Sequence, residues 1–510
     1  MWERNCLDHE PRTAQQRKQV GGGGPCSEGT NCPGSNQLEL LPGFFSSTEN
    51  PGSVFRCYGD ESRCSGGPPG SCVSGRDNRS LACGACLEGL RAAGASCEEC
   101  GDGDYILSVL TGLVILLGTG CLHFMLLRQD KEHYIQTQTQ AGLLNASVFA
   151  SQLVVCLQLV VVIQKLDIAW GVPFLQMLQS LSILSLEEFL RAFFAFSCVA
   201  TLPATTQFLV QTVMLPASLL LGPVLVHLGC ALAWRREGLQ LNVFFRMVGS
   251  LALLFFIVLC TAALEPFQCQ PHPNGSSTIA SGISALCNFT DDHLDLCLIG
   301  GILSLLPVGF LTLAFWAILL QFPRRLLAGD QRFVRLFSFL ILRFRPSCEG
   351  FAVFVMARNL MFAIAPVLPT PGLSLLLIQS LLFLTTTVVA IYKPWRLPSA
   401  AYTDMVLCSV FLLVVLQGSF LMKGLPQDSM DATQASMILL SVAMILLLLV
   451  LAGVSLALLA LHARRRYKKQ FDFFLSHHKR SAGSLARLMK MELRLSGCTF
   501  FWMLTTSQTS

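Results

Sequence analysis

Nine long apolar stretches occupy most of the sequence between residues 105 and 461 and decide what this chain can fold into. A transmembrane helix needs about 20 apolar residues to cross the ~30 Å hydrocarbon layer of a bilayer. With 53% hydrophobic and only 13% charged residues, the chain is also too apolar for a typical soluble protein. The sequence therefore predicts an all-α polytopic membrane helix bundle. The predicted spans are 105–127, 141–163, 206–233, 243–264, 294–321, 350–368, 373–392, 403–422 and 435–461.

The basic residues predict which side of the membrane each loop occupies, because cytoplasmic loops are enriched in Lys and Arg close to the spans. An extracellular or lumenal N-terminus places most basic loops and a polybasic juncture at 462–470 in the cytoplasm, whereas 265–293 holds no Lys or Arg. We therefore predict a plasma-membrane or endomembrane protein, embedded in the lipid bilayer, with a cytoplasmic C-terminus. The net charge of +5 follows from this topology and predicts no nucleic-acid binding.

Cysteines crowd the N-terminal region, where ten of the chain's 21 lie before residue 101. Gly, Pro and Ser dominate there and leave little for a hydrophobic core, so we predict a small disulfide-rich ectodomain at 26–104. Zinc binding is the alternative, because the pairs Cys83/Cys86 and Cys97/Cys100 have the spacing of metal knuckles. The sequence leaves the connectivity open. The candidate disulfide cysteines are Cys26, Cys32, Cys57, Cys64, Cys72, Cys83, Cys86, Cys97, Cys100, Cys269 and Cys287.

Two further features of the loop at 265–293 indicate that it lies on the extracellular or lumenal side of the membrane. Cys269 and Cys287 are a candidate disulfide pair within it, and its two sequons can be glycosylated only on the lumenal side. A sequon at Asn145 lies inside a predicted span and is interpreted as a chance match. The candidate glycosylation sites are Asn274 and Asn288 in this loop and Asn78 in the cysteine-rich region.

The first residues are polar and glycine-rich, which predicts a disordered leader at 1–25. A secretory signal needs a short apolar stretch near its start, and this leader has none. Either the first span acts as a reverse anchor or the chain continues beyond its N-terminus. The isolated Cys6 in the polar leader favours the second explanation.

Two segments between the predicted spans allow two interpretations each. The segment 164–205 sets Glu187, Glu188 and Arg191 among leucines, which predicts amphipathic helices on the outer surface, with a re-entrant segment as the alternative. A full crossing there would invert the charge bias of every later loop. The segment 331–345 mixes arginines with aromatic residues, which predicts either a basic amphipathic helix in the inner leaflet or a connecting elbow.

Polar residues inside the apolar stretches are the best candidates for functional positions, because a charge at mid-span costs about 2.5–3.5 kcal/mol on insertion scales. Arg358 and Asn359 interrupt the sixth predicted span. Arg358 is expected to contact a carboxylate, Asp404 or Glu265, or carbonyl groups of the bundle. A structural ion pair and a role in a gate or permeation path both fit this pattern. His227, inside another span, is interpreted as a packed or hydrated residue rather than a ligand.

The C-terminal segment Phe471-Asp-Phe-Phe-Leu-Ser-His-His-Lys479 reads as a buried strand and is followed by an amphipathic pattern at 481–494. Strand then helix is the opening of an α/β unit. This opening resembles the first strand and helix of a TIR domain, which implies a truncated TIR-like α/β stub at 471–510. The catalytic glutamate of NAD-cleaving TIR enzymes lies on a later helix, so NAD cleavage is not expected. The motif positions are Phe471, Asp472, Leu475, Ser476 and His477.

Three further pieces of the chain carry a second resemblance. They are Cys83-Gly-Ala-Cys86 to Cys100 before the first span, Pro266-Phe-Gln-Cys269 with Cys287, and Arg343-Phe-Arg-Pro-Ser-Cys348 followed by Arg358-Asn359. The layout resembles multi-pass proteins of unicellular eukaryotes that join a growth-factor-receptor or ephrin-receptor-like cysteine-rich ectodomain to a TRP-like helical bundle. Some of these proteins continue into a TIR-like segment. The resemblance implies an architecture more than an activity.

These features predict a cell-surface receptor whose cysteine-rich ectodomain binds an unknown extracellular ligand and whose bundle at 105–461 transmits the signal. A TRP-like or polycystin-like ion channel and a transporter are the alternatives, as no selectivity filter, acidic pore ring or repeated half is visible. The tail implies a TIR-type or other cytoplasmic signalling partner, and a homo-oligomer is compatible with the pattern. The sequence holds no HExxH, GxxxxGK[ST] or GxSxG motif, so no enzymatic activity, cofactor or metal is predicted.

Overall fold

The structure, a computed structural model, is mainly helical and divides into two compact units. One unit comprises Met1–Lys131 with Ser151–Leu448, and the other comprises Glu132–Ala150 with Leu449–Ser510. The predicted leader, Cys26 and Cys32 lie outside the described residues. The structure describes residues 28–31, 38–58, 61–87, 89–93, 96–131, 137–166, 168, 170–171, 174–182, 184, 206, 209, 217, 221–229, 232, 241–279, 285–421, 427–467, 473–478 and 500–505.

Long helices form because backbone polar groups in a bilayer have to bond within their own segment. A π-helical turn at Trp316–Gln321 joins the helices Asp291–Phe315 and Phe322–Leu327, so these two helices continue into one another. Residues 221–229 are helical as well. The labelled helices are α1 (Asp102–Lys131), α2 (Thr137–Gln164), α3 (Phe174–Ser182), α4 (Leu241–Leu254), α5 (Phe256–Leu264), α6 (Asp291–Phe315), α7 (Phe322–Leu327), α8 (Gln331–Leu336), α9 (Ser338–Ile341), α10 (Phe351–Ile364), α11 (Pro371–Tyr392), α12 (Pro398–Leu421) and α13 (Gln427–Tyr467).

Five helices within the described ranges are long and apolar enough to cross a membrane, and the bent pair α4–α5 makes a sixth if it counts as one span. Shorter apolar helices at Val109–Phe124 and Phe351–Val367 coincide with two further predicted spans. A helical bundle with several apolar spans is therefore confirmed. The total of nine stays a prediction, because most of 206–233 lies outside the described residues. The five long segments are Asn145–Gln164, His293–Leu327, Pro371–Tyr392, Pro398–Leu421 and Ala435–Leu461.

Large apolar side chains are exposed along these helices. Leu117 on α1, Phe383 on α11 and Leu439 on α13 are 73%, 66% and 70% exposed. Extensive exposed apolar surface is rare on soluble proteins and marks contact with a membrane or a partner. The exposed faces of these helices therefore fit a lipid environment.

The 63° bend between α4 and α5 occurs at Phe255, whose backbone angles (φ −103°, ψ 23°) leave the helical region. The Nε2 amide of Gln158 on α2 donates to the carbonyl oxygen of Leu254 at 2.9 Å. A break in a membrane helix frees backbone groups that need new partners in apolar surroundings. This buried glutamine therefore stabilises the broken conformation.

The helix α5 packs against both α6 and α10, and one glycine sets how closely α5 and α6 approach. A Cβ atom at Gly300 of α6 would lie 2.6 Å from the carbonyl oxygen of Ala263. This distance is far inside van der Waals contact, so a larger residue would force the helices apart. Gly301, the next residue, has open space where its Cβ would be.

The cysteine-rich module consists of short strands, a small core and disulfides. The core around Phe45 and Phe55 is small, so the disulfides supply much of the constraint on its fold. They join Cys57 to Cys64, Cys72 to Cys83 and Cys86 to Cys97, and Cys100 is also disulfide-bonded. The antiparallel pairs are β1 (Thr30–Asn31) with β2 (Glu39–Leu40), β3 (Phe44–Phe45) with β4 (Phe55–Arg56), and β5 (Leu90–Ala93) with β6 (Ser96–Glu99).

Zinc binding by the two CxxC pairs does not fit these bonds. Cys83, Cys86, Cys97 and Cys100 are all oxidised, and zinc requires thiolate ligands. Cys83 bonds to Cys72, and Cys86 bonds to Cys97 of the other CxxC pair. Their spacing therefore serves the disulfide framework.

A hairpin connects α5 to α6. The strand β7 (Cys269–Pro271) pairs antiparallel with β8 (Ser277–Ile279), and a disulfide joins Cys269 to Cys287. The predicted topology places this 269–279 hairpin on the extracellular side. It is therefore on the same side of the membrane as the cysteine-rich module.

The segment 164–205 contains one described helix. The nine-residue α3 buries Phe174 and Leu178 on one face and exposes Gln176 and Ser180 on the other, as an amphipathic surface helix does. At this length it is too short to cross a bilayer. Residues Glu187, Glu188 and Arg191 lie outside the described residues, so the re-entrant alternative is not tested there.

The alternative of one basic amphipathic helix over 331–345 is wrong. The helices α8 and α9 have six and four residues and are separated at Phe337, which is not helical. The Phe339 ring occupies the space beside Gly249 of α4, where a Cβ atom would lie 2.4 Å from it. The segment is thus a packed elbow, the second of the two predicted alternatives.

In the second unit, two strands pair in parallel at the C-terminal end of the chain. The strand β9 (Phe473–His478) lies within the TIR-like motif and pairs with β10 (Phe500–Thr505). Parallel neighbours need a long crossover connection, which is usually helical. The predicted helix at 481–494 lies outside the described residues, so the TIR-like stub stays a prediction.

Replacing Gly300 by Ala should lower the free energy of unfolding by about 1–3 kcal/mol, because the added methyl group overpacks the α5–α6 contact. Thermal unfolding of the detergent-solubilised protein measures this loss. Gly301→Ala is the matched control, since no atom lies within 4 Å of its Cβ and alanine favours the helix by roughly 1 kcal/mol. Equal effects of the two substitutions would contradict the close approach.

Candidate functional site

Arg358 and Asn359 lie in the middle of α10 and are only 8% and 2% exposed. The guanidinium donates from Nε and Nη2 to the side-chain oxygen of Asn359, at 3.1 and 3.0 Å. Its central carbon also lies 5.5 Å from the centroid of the Phe362 ring, a cation–π distance. The buried charge is therefore held by its neighbour's amide and an aromatic face.

Asp404 lies on α12 and is held by an indole. The Nε1 group of Trp395 donates to its Oδ2 at 2.8 Å, and the Cys408 thiol lies 3.9 Å from Oδ1. Arg358 and Asp404 attract each other electrostatically but form no direct ion pair in the described chain. The other expected partner, Glu265, is buried in the turn after α5, and the guanidinium bonds to Asn359 instead. The sequence thus identified the polar residues but not their direct contacts.

These groups surround a cavity of about 80 Å³ inside the helix bundle, which we call the bundle pocket. Gln152 of α2 is a member that the sequence did not single out. Its Nε2 donates to the carbonyl oxygen of Ala400 at 2.9 Å, whereas its buried Oε1 has no partner in the described residues. An amide side chain within an apolar span was the available signal, which Gln152 shares with Asn145 and Gln158. The polar lining residues are Gln152, Arg343, Arg358, Asn359, Trp395 and Asp404.

Two loops close one end of the bundle pocket. Phe344 and Trp395 form an antiparallel bridge, with the Arg345 amide donating to the carbonyl of Pro394 at 2.8 Å. The rings of Phe344 and Trp395 lie 5.0 Å apart. Arg343 is half-buried at this end, and burial lowers the pKa of its guanidinium to about 10, so it stays charged at neutral pH. The predicted topology places both loops on the cytoplasmic side.

The cysteine-rich module contacts the 269–279 hairpin directly, and the predicted topology places this contact on the extracellular side. The Arg56 amide donates to Nδ1 of His272 at 3.0 Å, and Nε2 of His272 lies 2.7 Å from the Thr278 hydroxyl. Tyr58 donates its hydroxyl to the carbonyl of Pro271. We call this contact the module–hairpin interface, and its residues are Ser53, Phe55, Arg56, Tyr58, Pro271, His272 and Asn274.

The protonation state of His272 follows from its partners. Because Nδ1 accepts a backbone N–H, the imidazole is neutral and carries its proton on Nε2, which donates to Thr278. The rings of Phe55 and Tyr58 lie 5.2 and 5.4 Å from it. Burial lowers the pKa of His272 from 6.5 to about 4. The hydrogen bonds of the interface therefore require His272 to be neutral.

Two further histidine clusters are structural in the described chain. His293 lies near Cys269 and Cys287, but these cysteines form a disulfide and offer no thiolate to a metal. His293 instead accepts the Phe289 amide at 3.0 Å and lies 3.1 Å from the Pro266 carbonyl. A metal site is therefore not supported by this cluster.

His227 is packed among rings, as the sequence predicted. It is 7% exposed, and its ring centroid lies 5.4 Å from that of His123 and 5.6 Å from that of Phe244. A metal site in a protein usually has three or four ligands, and two histidines alone do not supply them. We therefore assign it to packing.

The candidate glycosylation sites differ in exposure. Asn78 and Asn288 are exposed, whereas Asn274 is half-buried. The Asn274 side-chain oxygen accepts from the amide and hydroxyl of Ser276, at 3.0 and 2.6 Å, and its Nδ2 donates to the Ser53 hydroxyl at 2.8 Å. Glycosylation at these sites stays a prediction.

The TIR-like residues belong to the C-terminal segment of the chain. Leu475, Ser476 and His477 form the middle of β9 in the second unit, and Phe471 and Asp472 lie outside the described residues. The candidate functional regions are the bundle pocket and the module–hairpin interface.

Removing the Asn359 oxygen should destabilise the bundle, because the buried Arg358 charge would lose its acceptor. We expect Asn359→Leu to cost about 3–5 kcal/mol, the usual penalty for stranding a buried charge. Thermal unfolding of the solubilised protein measures this loss. Asn359→Asp keeps an acceptor oxygen and should lose far less, so equal losses in both variants would contradict the proposed contact.

Acid should loosen the module–hairpin interface. The pKa of His272 is depressed in the folded protein. The contribution of the neutral histidine to the free energy of unfolding is therefore complete above pH 6.5 and is lost as the pH falls toward 4. The full loss corresponds to about 3 kcal/mol. The hydrogen-exchange protection factor of the Arg56 amide, corrected for intrinsic exchange, reports this change. His272→Asn keeps an acceptor but does not titrate, and an equally steep pH dependence in this variant would refute the assignment.

Comparison with known proteins does not identify the family of this chain. The chain matches no family model, no curated protein and no solved structure. The two sites are therefore interpreted from their own geometry.

Proposed function

We propose that this protein is a receptor-like multi-pass membrane protein in which the cysteine-rich module senses an extracellular ligand. The observation that supports this most is the module–hairpin interface, because it ties the module to the connection between two bundle helices. Arg56 and His272 lie 216 residues apart in the chain and are joined by a hydrogen bond. Ligand binding to the module would therefore act on the helices next to the hairpin.

A continuous set of contacts leads from this interface toward the bundle pocket. The 269–279 hairpin follows α5, and α5 packs against α10, which carries Arg358 and Asn359. A displacement of the hairpin would therefore reach the pocket through one helix–helix contact. Packed helices have discrete arrangements, so such a contact can carry a two-state signal.

The cytoplasmic output is proposed to run through the C-terminal segment. The parallel pair β9–β10 and the TIR-like motif support a TIR-type or other signalling partner. Enzymatic activity of this segment is not part of the proposal.

Permeation, by a channel or a transporter, is the second candidate. The 63° break between α4 and α5 and the polar pocket inside the bundle favour it, because broken helices around a mid-membrane site are typical of transporters. Ionic current or solute flux across reconstituted bilayers distinguishes the two candidates. Stimulus-dependent flux would support permeation over sensing.

Weakening the module–hairpin interface should increase hydrogen exchange in α5 and α10 if the interface couples to the bundle. The variant Ser53→Ala/Tyr58→Phe removes two of the interface hydrogen bonds without changing charge. We expect the amides of α5 near the hairpin to exchange several-fold faster, measured by mass spectrometry on the full protein in nanodiscs.

Ser65→Ala is the matched control for this experiment. Ser65 is exposed in the module and bonds only to its neighbour Gly66. This variant should leave exchange in the helices unchanged. Coupling through the interface would be refuted if the double variant changed exchange in the module alone.

A further inference from the structure

One buried hydrogen-bonding atom of the bundle pocket has no partner among the described residues, and a guanidinium nitrogen that lines the same pocket makes no hydrogen bond to them. Oε1 of Gln152 is buried and accepts no hydrogen bond, while Nε2 of the same side chain donates to Ala400. Arg358 donates through Nε and Nη2, which leaves Nη1 without an acceptor. A buried polar atom without a partner costs about 1–3 kcal/mol, and more when it is charged. Both side chains line one cavity, so a single molecule would satisfy both.

The charges around the pocket favour an anion. Two arginines, Arg343 and Arg358, face one carboxylate, Asp404, and this carboxylate is already held by Trp395. A guanidinium presents parallel N–H donors that match the two oxygens of a carboxylate. The unpartnered Gln152 oxygen requires a donor from the same molecule. A carboxylate that carries a hydroxyl or amino group meets both needs.

The volume of the pocket restricts the ligand further. It encloses about 80 Å³, compared with ~150 Å³ for a cavity that holds benzene. Leu159, Leu254 and Leu382 form apolar walls that suit a short carbon chain. The pocket therefore has room for a molecule of about two or three carbons.

We infer that the bundle pocket binds a small hydroxy- or amino-carboxylate, with its carboxylate on Arg358 and its hydroxyl or amine donating to Gln152. Water fills polar cavities of this size as well, but water leaves the surplus positive charge without a counterion. The inference rests on the pocket alone and does not depend on the receptor function.

Isothermal titration of the full-length protein in nanodiscs with glycolate and acetate tests this site. The two carboxylates differ in the hydroxyl group that glycolate would donate to Gln152. We expect saturable binding of both, with glycolate bound roughly tenfold more tightly than acetate. Gln152→Met removes the acceptor at nearly constant volume. In this variant the two affinities should become equal.

Gln158→Met is the matched control on the same helix. Gln158 is also buried with an unpartnered Oε1, but it does not line the pocket. This variant should keep the glycolate preference of the wild type. The comparison uses a ratio of affinities within one variant, so a general loss of stability does not imitate the expected result.

The contribution of Arg358 is tested by Arg358→Lys, which keeps the charge but loses the paired N–H geometry. It should weaken glycolate and acetate by the same factor, roughly ten- to a hundred-fold. Absence of saturable binding of either carboxylate to the wild type would overturn the inference and leave water as the occupant. An unchanged glycolate preference in Gln152→Met would overturn the assigned orientation. Failure of the receptor function would be seen only in the hydrogen-exchange experiment on the module–hairpin interface.

Discussion

Burial of the Arg358 guanidinium is the constraint on which the packing around the bundle pocket depends. A charge in an apolar interior costs several kcal/mol unless hydrogen bonds and an opposite charge compensate it. Asn359 supplies the acceptor for Arg358 on the same helix, and Asp404 supplies the opposite charge from α12. Because Asp404 is itself fixed by Trp395, the loop that carries this indole is held against the bundle, and its backbone in turn bonds Arg345.

The module–hairpin interface obeys a different rule, since it joins two disulfide-bonded segments rather than two helices. Disulfides stiffen the cysteine-rich module and the 269–279 hairpin before they meet, so few side chains suffice to orient one against the other. His272 forms its centre because a neutral imidazole can accept from one side and donate to the other. Stiff partners also transmit displacement better than flexible ones.

Local features of this fold could be predicted from the sequence, and contacts between distant residues could not. Apolar length identifies helices because each helix bonds within itself, and a mid-span charge such as Arg358 is rare enough to draw attention. Gln152 escaped notice because an amide is less costly in an apolar span, and its partner Ala400 lies 248 residues away. The sequence pattern of 331–345 is helical throughout and does not indicate the interruption at Phe337. That interruption depends on packing against α4.

The half-buried Asn274 links protein assembly to covalent modification. Its Nδ2 atom, which donates to Ser53, is also the atom to which an N-linked sugar would be joined. An attached glycan would replace one of the two hydrogens on this nitrogen and add bulk at the half-buried contact, so it would hinder the approach of Ser53. The module is synthesised before the hairpin, so the outcome depends on whether it reaches Asn274 before the glycosylation machinery does. A chain modified at Asn274 would carry its cysteine-rich module less firmly attached than an unmodified chain with the same sequence.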